Sequence, residues 1–146
     1  MIVVLDTSIL VSSLINPDSP PHRLYEAWRA GAFTLVTCDE QFEEFRRVTR
    51  HEKLRRYIEP AVAGAILNQL RRLAQRIEKL PKVRRSPDAA DDYLLALAQA
   101  ASADYVITGD KSGLLALKRH GHTRIVTARQ FSEIVAPKPR RRIRVR

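Results

Sequence analysis

Short apolar runs alternate along the chain with longer stretches in which apolar residues recur every three or four positions, and this alternation predicts strands interleaved with helices. Ile2-Val3-Val4-Leu5 is a continuous apolar run, as a strand buried on both faces requires, and Asp6-Thr7-Ser8 after it supplies helix-capping chemistry. Ile9, Leu10, Leu14 and Ile15 continue at helical spacing as far as Asn16-Pro17. A second helix is predicted from Pro20 or Pro21 to a stop at Gly31, followed by a strand from Phe33 to Thr37. Asp39 is the expected N-cap of a helix that carries Phe42, Phe45 and Val48.

A long amphipathic helix is predicted from about Pro60, with Val62, Ile66, Leu70, Leu73 and Ile77 on one side and Pro81 closing the segment. Lys82 to Pro87 reads as a basic loop, and Asp88 begins a helix that runs through Ala101. Asp104 to Thr108 and Thr123 to Val126 read as strands. Between them Ser112 to Arg119 is predicted to form a short helix ended by Gly121, and Thr127 caps a last helix through Val135. Alternation of this kind argues for a parallel sheet with helices on both faces.

At 146 residues the chain is expected to form one domain with a core of its own. No apolar stretch is long enough to span a membrane, and Met1 to Leu5 is too short for a signal peptide, so a cytoplasmic protein is expected. The single cysteine, Cys38, has no partner for an internal disulfide and is expected to be a small buried side chain. A formal net charge of +10 favours an acidic partner, nucleic acid among them. Part of the excess lies in residues 137–146, which hold five arginines and two prolines with no periodic apolar face; a mobile basic arm is expected there.

Against this background four carboxylates stand out, each beside an apolar run and far from the others in sequence: Asp6, Glu44, Asp91 and Asp110. Asp6 and Asp110 follow predicted strands, and in an open parallel sheet ligands bind beyond the carboxyl ends of the strands where the strand order reverses. Helical phase sorts the other two. Glu44 lies roughly 100° from the centre of the Phe42, Phe45, Val48 stripe and Glu43 roughly 160° away, so Glu44 reaches the groove edge and Glu43 faces water. The same construction places Asp91 roughly 50° from the apolar centre of its helix, Asp88 roughly 110° and Asp92 roughly 150°. Taken singly, Asp6 and Asp88 read as caps, Asp110 as part of a Gly-Asp turn and Glu44 as surface. If the fold gathers them they are expected to make a metal site, because crowded carboxylates stay ionised near neutral pH only beside a compensating cation. An all-oxygen donor set on a basic protein points to Mg²⁺ or Mn²⁺ and a phosphate-bearing substrate.

Through these residues the chain resembles a PIN domain, most closely the toxin components of toxin–antitoxin systems. The resemblance rests on Val4-Leu5-Asp6-Thr7-Ser8, on Glu43-Glu44-Phe45-Arg46-Arg47-Val48, on Asp88-Ala89-Ala90-Asp91-Asp92 and on Ala103 through Lys111, in that order and spacing, and it covers about residues 1 to 136. It implies a three-layer α/β/α sandwich with a central, mostly parallel sheet and a Mg²⁺- or Mn²⁺-dependent ribonuclease site. It also implies an antitoxin partner and a homodimer. Carried over residue by residue, the acidic set falls on Asp6, Glu44, Asp91 and Asp110, with Asp6, Asp91 and Asp110 as metal ligands and Thr7, Ser8, Thr108 and Asp88 in support. The chain departs from the pattern at Ser112, where a second acidic residue is usual, and at Asp88-Ala89, where Asp-Pro is usual.

The expected activity is therefore hydrolysis of RNA phosphodiester bonds, with Arg46, Arg47, Arg50 and Lys111 as candidates to hold the phosphate backbone. Two other readings stay open: an RNA- or partner-binding module whose incomplete acidic site does not cut, and a phosphotransfer domain with Asp6 as an aspartyl nucleophile. The second lacks the Asp-x-Asp pair it calls for, having Asp6-Thr7-Ser8. His22, His51, His120 and His122 are expected at the surface, and His120-Gly121-His122 has no third nitrogen ligand nearby for zinc.

Overall fold

A computed structural model describes residues 1–135. The expected basic arm, and with it the boundary placed at residue 136, lies outside the described residues. Six strands form one sheet: β1 (Ile2–Leu5), β2 (Thr34–Thr37), β3 (Gln75–Arg76), β4 (Tyr105–Ile107), β5 (Arg119–His120) and β6 (Thr123–Val126). Their order is β3-β2-β1-β4-β6-β5, and every neighbouring pair is parallel except β5 with β6. The chain leaves β1 for β2 on one side and later returns to place β4 on the other, so the strand order reverses between β1 and β4.

Alternation along the strands builds two cores. Val3 and Leu5 of β1, Leu35 of β2, Ile107 of β4 and Val126 of β6 face one side of the sheet. There they pack against α1 (Thr7–Ile15), α2 (Pro20–Arg29), α3 (Asp39–Thr49), α5 (Pro60–Leu73) and α8 (Ala128–Val135). Val4, Val36, Val106 and Ile125 face the other side, against α6 (Asp92–Ala101) and α7 (Leu114–Leu117). The result is the expected three-layer α/β/α sandwich. Phe131 of α8 stacks edge-on against Phe33 and Tyr105, and Tyr25 meets Trp28 in the same geometry on α2. Cys38 is fully buried, and burial raises its thiol pKa to about 12.

Local chemistry explains most of the element ends. The Asp6 side chain accepts from the Ser8 amide at the start of α1, and the Ser19 hydroxyl does the same for His22 ahead of α2. Thr127 and Gln130 form a reciprocal capping box at α8: the Gln130 amide donates to the Thr127 hydroxyl and the Thr127 amide to the Gln130 carbonyl.

Several expected boundaries move. Asp39 is not the cap of α3: Cys38 occupies that place, and the Asp39 carboxylate is taken by the Arg76 guanidinium at 2.7 and 2.8 Å. The helix expected to continue to Ile77 stops at Leu73, because the chain becomes extended at Ala74 and Gln75–Arg76 joins the sheet beside β2. Ile77 packs on the opposite core, Val62 and Leu73 are exposed, and the buried stripe of α5 is Ala63, Ile66, Leu67 and Leu70. Leu73 and Ile77 match helical spacing by coincidence, and the sheet ladder outweighs it. A short helix, α4 (Glu52–Arg55), sits between α3 and α5. Asp88 opens a 3₁₀ turn at Ala89–Asp91, and α6 proper starts at Asp92. The helix expected as far as Arg119 ends at Leu117; Arg119–His120 pairs back on Thr123–Arg124, and Gly121, with φ of +58°, turns that hairpin instead of ending a helix. His22 and His120 are half-buried instead of fully exposed, held respectively by Ser13 and Glu26 and by Gln99 and Arg85.

One buried polar side chain joins three of these elements. Gln41 on α3 is fully buried, donates to the Leu5 carbonyl at 2.5 Å and accepts from the Thr37 hydroxyl at 2.7 Å. It ties the first turns of α3 to the ends of β1 and β2, one turn before Glu44. Gln41→Leu strands the Leu5 carbonyl and the Thr37 hydroxyl in the interior, and buried orphans of this kind cost about 1–3 kcal/mol each. Urea denaturation of this variant is expected to show a loss in at least that range.

Candidate metal centre

The parallel register of β1 and β4 sets Leu5 beside Ile107, so the residues that leave the two strands, Asp6 and Thr108, emerge side by side at the reversal of strand order. The Asp6 amide donates to the Ile107 carbonyl at 2.9 Å, which extends the ladder to the site. Asp6 is 7% exposed. Its Oδ2 accepts from the buried Thr108 hydroxyl at 2.8 Å and its Oδ1 from the Ser8 amide at 3.3 Å. Burial raises its pKa above the usual aspartate value against those two bonds, and the charges of Glu44 and Asp110 push in the same direction.

Asp110 follows β4 through Thr108 and Gly109. Its amide donates to the Thr108 hydroxyl oxygen at 3.2 Å, and its Oδ1 accepts from the Gly113 amide at 3.1 Å and the Ser112 hydroxyl at 3.3 Å. Ser112, which stands where the family pattern has an acid, therefore fastens the neighbouring carboxylate. Gly113 lets the backbone approach closely: a Cβ there would displace the Asp110 carboxylate from this position.

Glu44 projects from the middle of α3, half-buried, whereas Glu43 is exposed, as helical phase predicts. Its Oε1 accepts from the Tyr93 hydroxyl at 2.6 Å. Asp91 closes the 3₁₀ turn that precedes α6 and is half-buried. Among the described residues it alone of the four carboxylates accepts no hydrogen bond. Burial, followed by the charges of Asp6, Asp88, Glu44 and Asp110, raises its pKa to about 6. Four carboxylates from distant segments thus lie within one another's fields, and three are held by protein donors while the fourth is not. Asp88 accepts from the Ala90 amide at 3.0 Å as the cap of the turn, and its charge adds to the rise of the Asp91 pKa.

Among the described residues no three acidic, histidine or cysteine side chains converge as a ready-made ligand cage. The donor set nonetheless fits a small hard cation. It consists of carboxylate oxygens alone, Mg²⁺ usually keeps several waters and takes one or two carboxylates directly, and Asp6 and Asp91 carry a repulsion that a cation relieves. Asp6, Asp91 and Asp110 are the side chains that would hold it. The phosphotransfer alternative finds no second aspartate beside Asp6 on its own strand end.

The basic candidates separate. Arg47 and Lys111 are exposed and near Glu44 and Asp110 in the chain. Arg46 and Arg50 lie on the other flank of α3, where with Arg55 they rim a cavity of about 480 Å³ floored by Phe45, Ala63 and Leu67. Sequence reasoning missed Gln41 and Tyr93. Tyr93 carried a faint signal, a bulky aromatic in the first turn of a helix whose apolar stripe it only borders; Gln41 carried none, since a glutamine two residues after Asp39 reads as an ordinary first-turn residue.

Comparison with known proteins gives a family and a fold. A family model described as the PIN domain matches residues 2–112. Among solved structures, VapBC2 from Rickettsia felis bound to a DNA fragment from their promoter superposes with a TM-score of 0.54 at 16% identity, covering 87% of this chain and 98% of that one. FitAcB from Neisseria gonorrhoeae superposes with a TM-score of 0.50 at 13% identity, covering 86% of this chain and 97% of that one. No curated protein gives a significant sequence match.

The raised pKa of Asp91 has a signed consequence. Its charged form is disfavoured in the fold, so the metal-free protein loses stability as pH rises from the unfolded value near 3.8 through about 6. Asp91→Asn is expected to melt above the metal-free wild type at pH 7.5, with the gap about halved at pH 5 and closed only below the unfolded value near 3.8. Added Mn²⁺ is expected to raise the wild-type melting temperature more at pH 7.5 than at pH 5, and to raise that of the variant less. Thermal unfolding at the two pH values, with and without the ion, reads both.

Proposed function

The chain belongs to the PIN-domain family, and from that premise we propose that it is a divalent-metal-dependent ribonuclease that hydrolyses RNA phosphodiester bonds. The observation that carries the proposal is the gathering of Asp6, Glu44, Asp91 and Asp110 at the reversal of strand order, with Asp91 left without a donor and its pKa raised by burial and then by the charges of its neighbours. Asp6, Asp91 and Asp110 hold Mg²⁺ or Mn²⁺, with Thr108, Ser8, Ser112 and Gly113 fixing two of the three. The bound ion supplies Lewis-acid stabilisation of charge on the phosphate and lowers the pKa of water. Glu44 orients the attacking water and takes its proton, which requires the carboxylate to be ionised and to keep an oxygen free. Lys111 and Arg47 flank this end of the sheet and hold the RNA backbone, sequence recognition being left to other contacts.

The resemblance to toxin components extends the proposal to a type II toxin–antitoxin pair. The cavity rimmed by Arg46, Arg50 and Arg55 is the candidate seat for the antitoxin, because its floor is apolar and none of the three arginines makes an ion pair among the described residues. That combination suits an apolar side chain flanked by carboxylates. Among the described residues no helix is long and apolar enough to cross a membrane.

A non-cleaving binding module is the second reading, favoured by Ser112 in place of an acid and by the absence of a preformed ligand cage among the described residues. Cleavage of end-labelled RNA separates the two. Wild type with Mn²⁺ or Mg²⁺ is expected to cut, EDTA to abolish cutting, and Asp6→Asn to reduce the rate to background while leaving RNA binding in EDTA unchanged. Binding without metal-dependent cleavage by the wild type contradicts the nuclease proposal and supports the binding module.

A further inference from the structure

The hydroxyl of Tyr93, the second residue of α6, stands 2.6 Å from Glu44 Oε1 on α3 and 3.1 Å from Thr7 Oγ1 on α1. An ionised carboxylate only accepts, so the single phenolic proton goes to Glu44. The Thr7 hydroxyl must then donate to the Tyr93 oxygen, and the three groups form a directed chain from Thr7 through Tyr93 to Glu44. Thr7 is buried and Tyr93 half-buried, so this chain lies beneath the site and not in open water. Among the described residues Glu44 makes no other hydrogen bond and no ion pair. One of its oxygens is therefore occupied and the other is free.

This asymmetry has a consequence for chemistry. A glutamate on one flank of a helix has three rotatable bonds and samples many positions, while a group that handles a water molecule must keep one oxygen at a fixed place. From this geometry we infer that Tyr93 is a positioning residue for Glu44. It anchors Oε1, presents Oε2 to the water, and transmits to Glu44 the fixed position of Thr7 beside Asp6. The inference rests on the ribonuclease reading above and on the role given there to Glu44. It does not require Tyr93 to touch RNA or metal.

The test is Tyr93→Phe, which keeps the ring and removes only the hydroxyl. In single-turnover cleavage the variant is expected to lose about 10- to 100-fold in rate, the range for removing an outer partner of a site residue. Saturation by RNA should stay within about twofold and Mn²⁺ affinity, read by electron paramagnetic resonance, within about threefold, both well below a typical outer-partner loss. Thr7→Val is expected to show a smaller loss of the same kind, and it takes the place of Tyr93→Phe should that variant not fold. A purely structural role predicts instead that rate and Mn²⁺ affinity fall together with the melting temperature, and that result overturns the inference. So does a Tyr93→Phe rate equal to wild type while wild type cuts, which leaves the ribonuclease reading intact. A wild type that does not cut under any divalent ion overturns both at once.

Discussion

The pairing of β1 with β4 is the constraint on which the site depends. Parallel register places the exits of the two strands side by side, and the Thr108 hydroxyl donating to Asp6 closes that junction with a buried bond at 2.8 Å. Asp6 cannot move away from Asp110 without breaking the ladder that holds the centre of the sheet. The two helices that complete the site are then braced to the chain on either side of Asp6, α3 through Gln41 on the Leu5 carbonyl and α6 through Tyr93 on Thr7 at the start of α1. Rigid strands fix two carboxylates, and polar struts fix the helices that carry the others.

Holding four like charges together is costly, and the fold offsets that cost unevenly. Asp6 receives two donors, Asp110 two and Glu44 one. Asp91 receives none and takes the largest visible consequence, a pKa raised to about 6. A structure selected for stability alone would place a neutral side chain there. A cation bound there, as proposed above, would relieve this cost.

Much of this was legible in the sequence because period and capping act locally. The β1 run and its Asp6 cap, the α2 start at Pro20, and the Thr127 cap of α8 all follow from a few adjacent residues. Helical phase distinguished Glu44 from Glu43 because α3 is regular. What escaped reading depended on distant partners. Asp39 looked like a cap until Arg76, far along the chain, claimed it, and Leu73 and Ile77 kept helical spacing across a segment that the sheet edge pulls straight. Phase placed Asp91 inward although its backbone is a 3₁₀ turn, since the first turn of α6 keeps roughly the same facing. Gln41 and Tyr93 were invisible because their meaning lies entirely in what they touch.

The most direct measurement of the central claim is anomalous diffraction from a crystal soaked in Mn²⁺. The account predicts a single strong peak, or two adjacent ones, coordinated by oxygens of Asp6 and of Asp91 or Asp110, with Glu44 beside a coordinated water. A well-ordered crystal in which Mn²⁺ binds elsewhere, or in which these carboxylates remain apart at high Mn²⁺ and neutral pH, contradicts it.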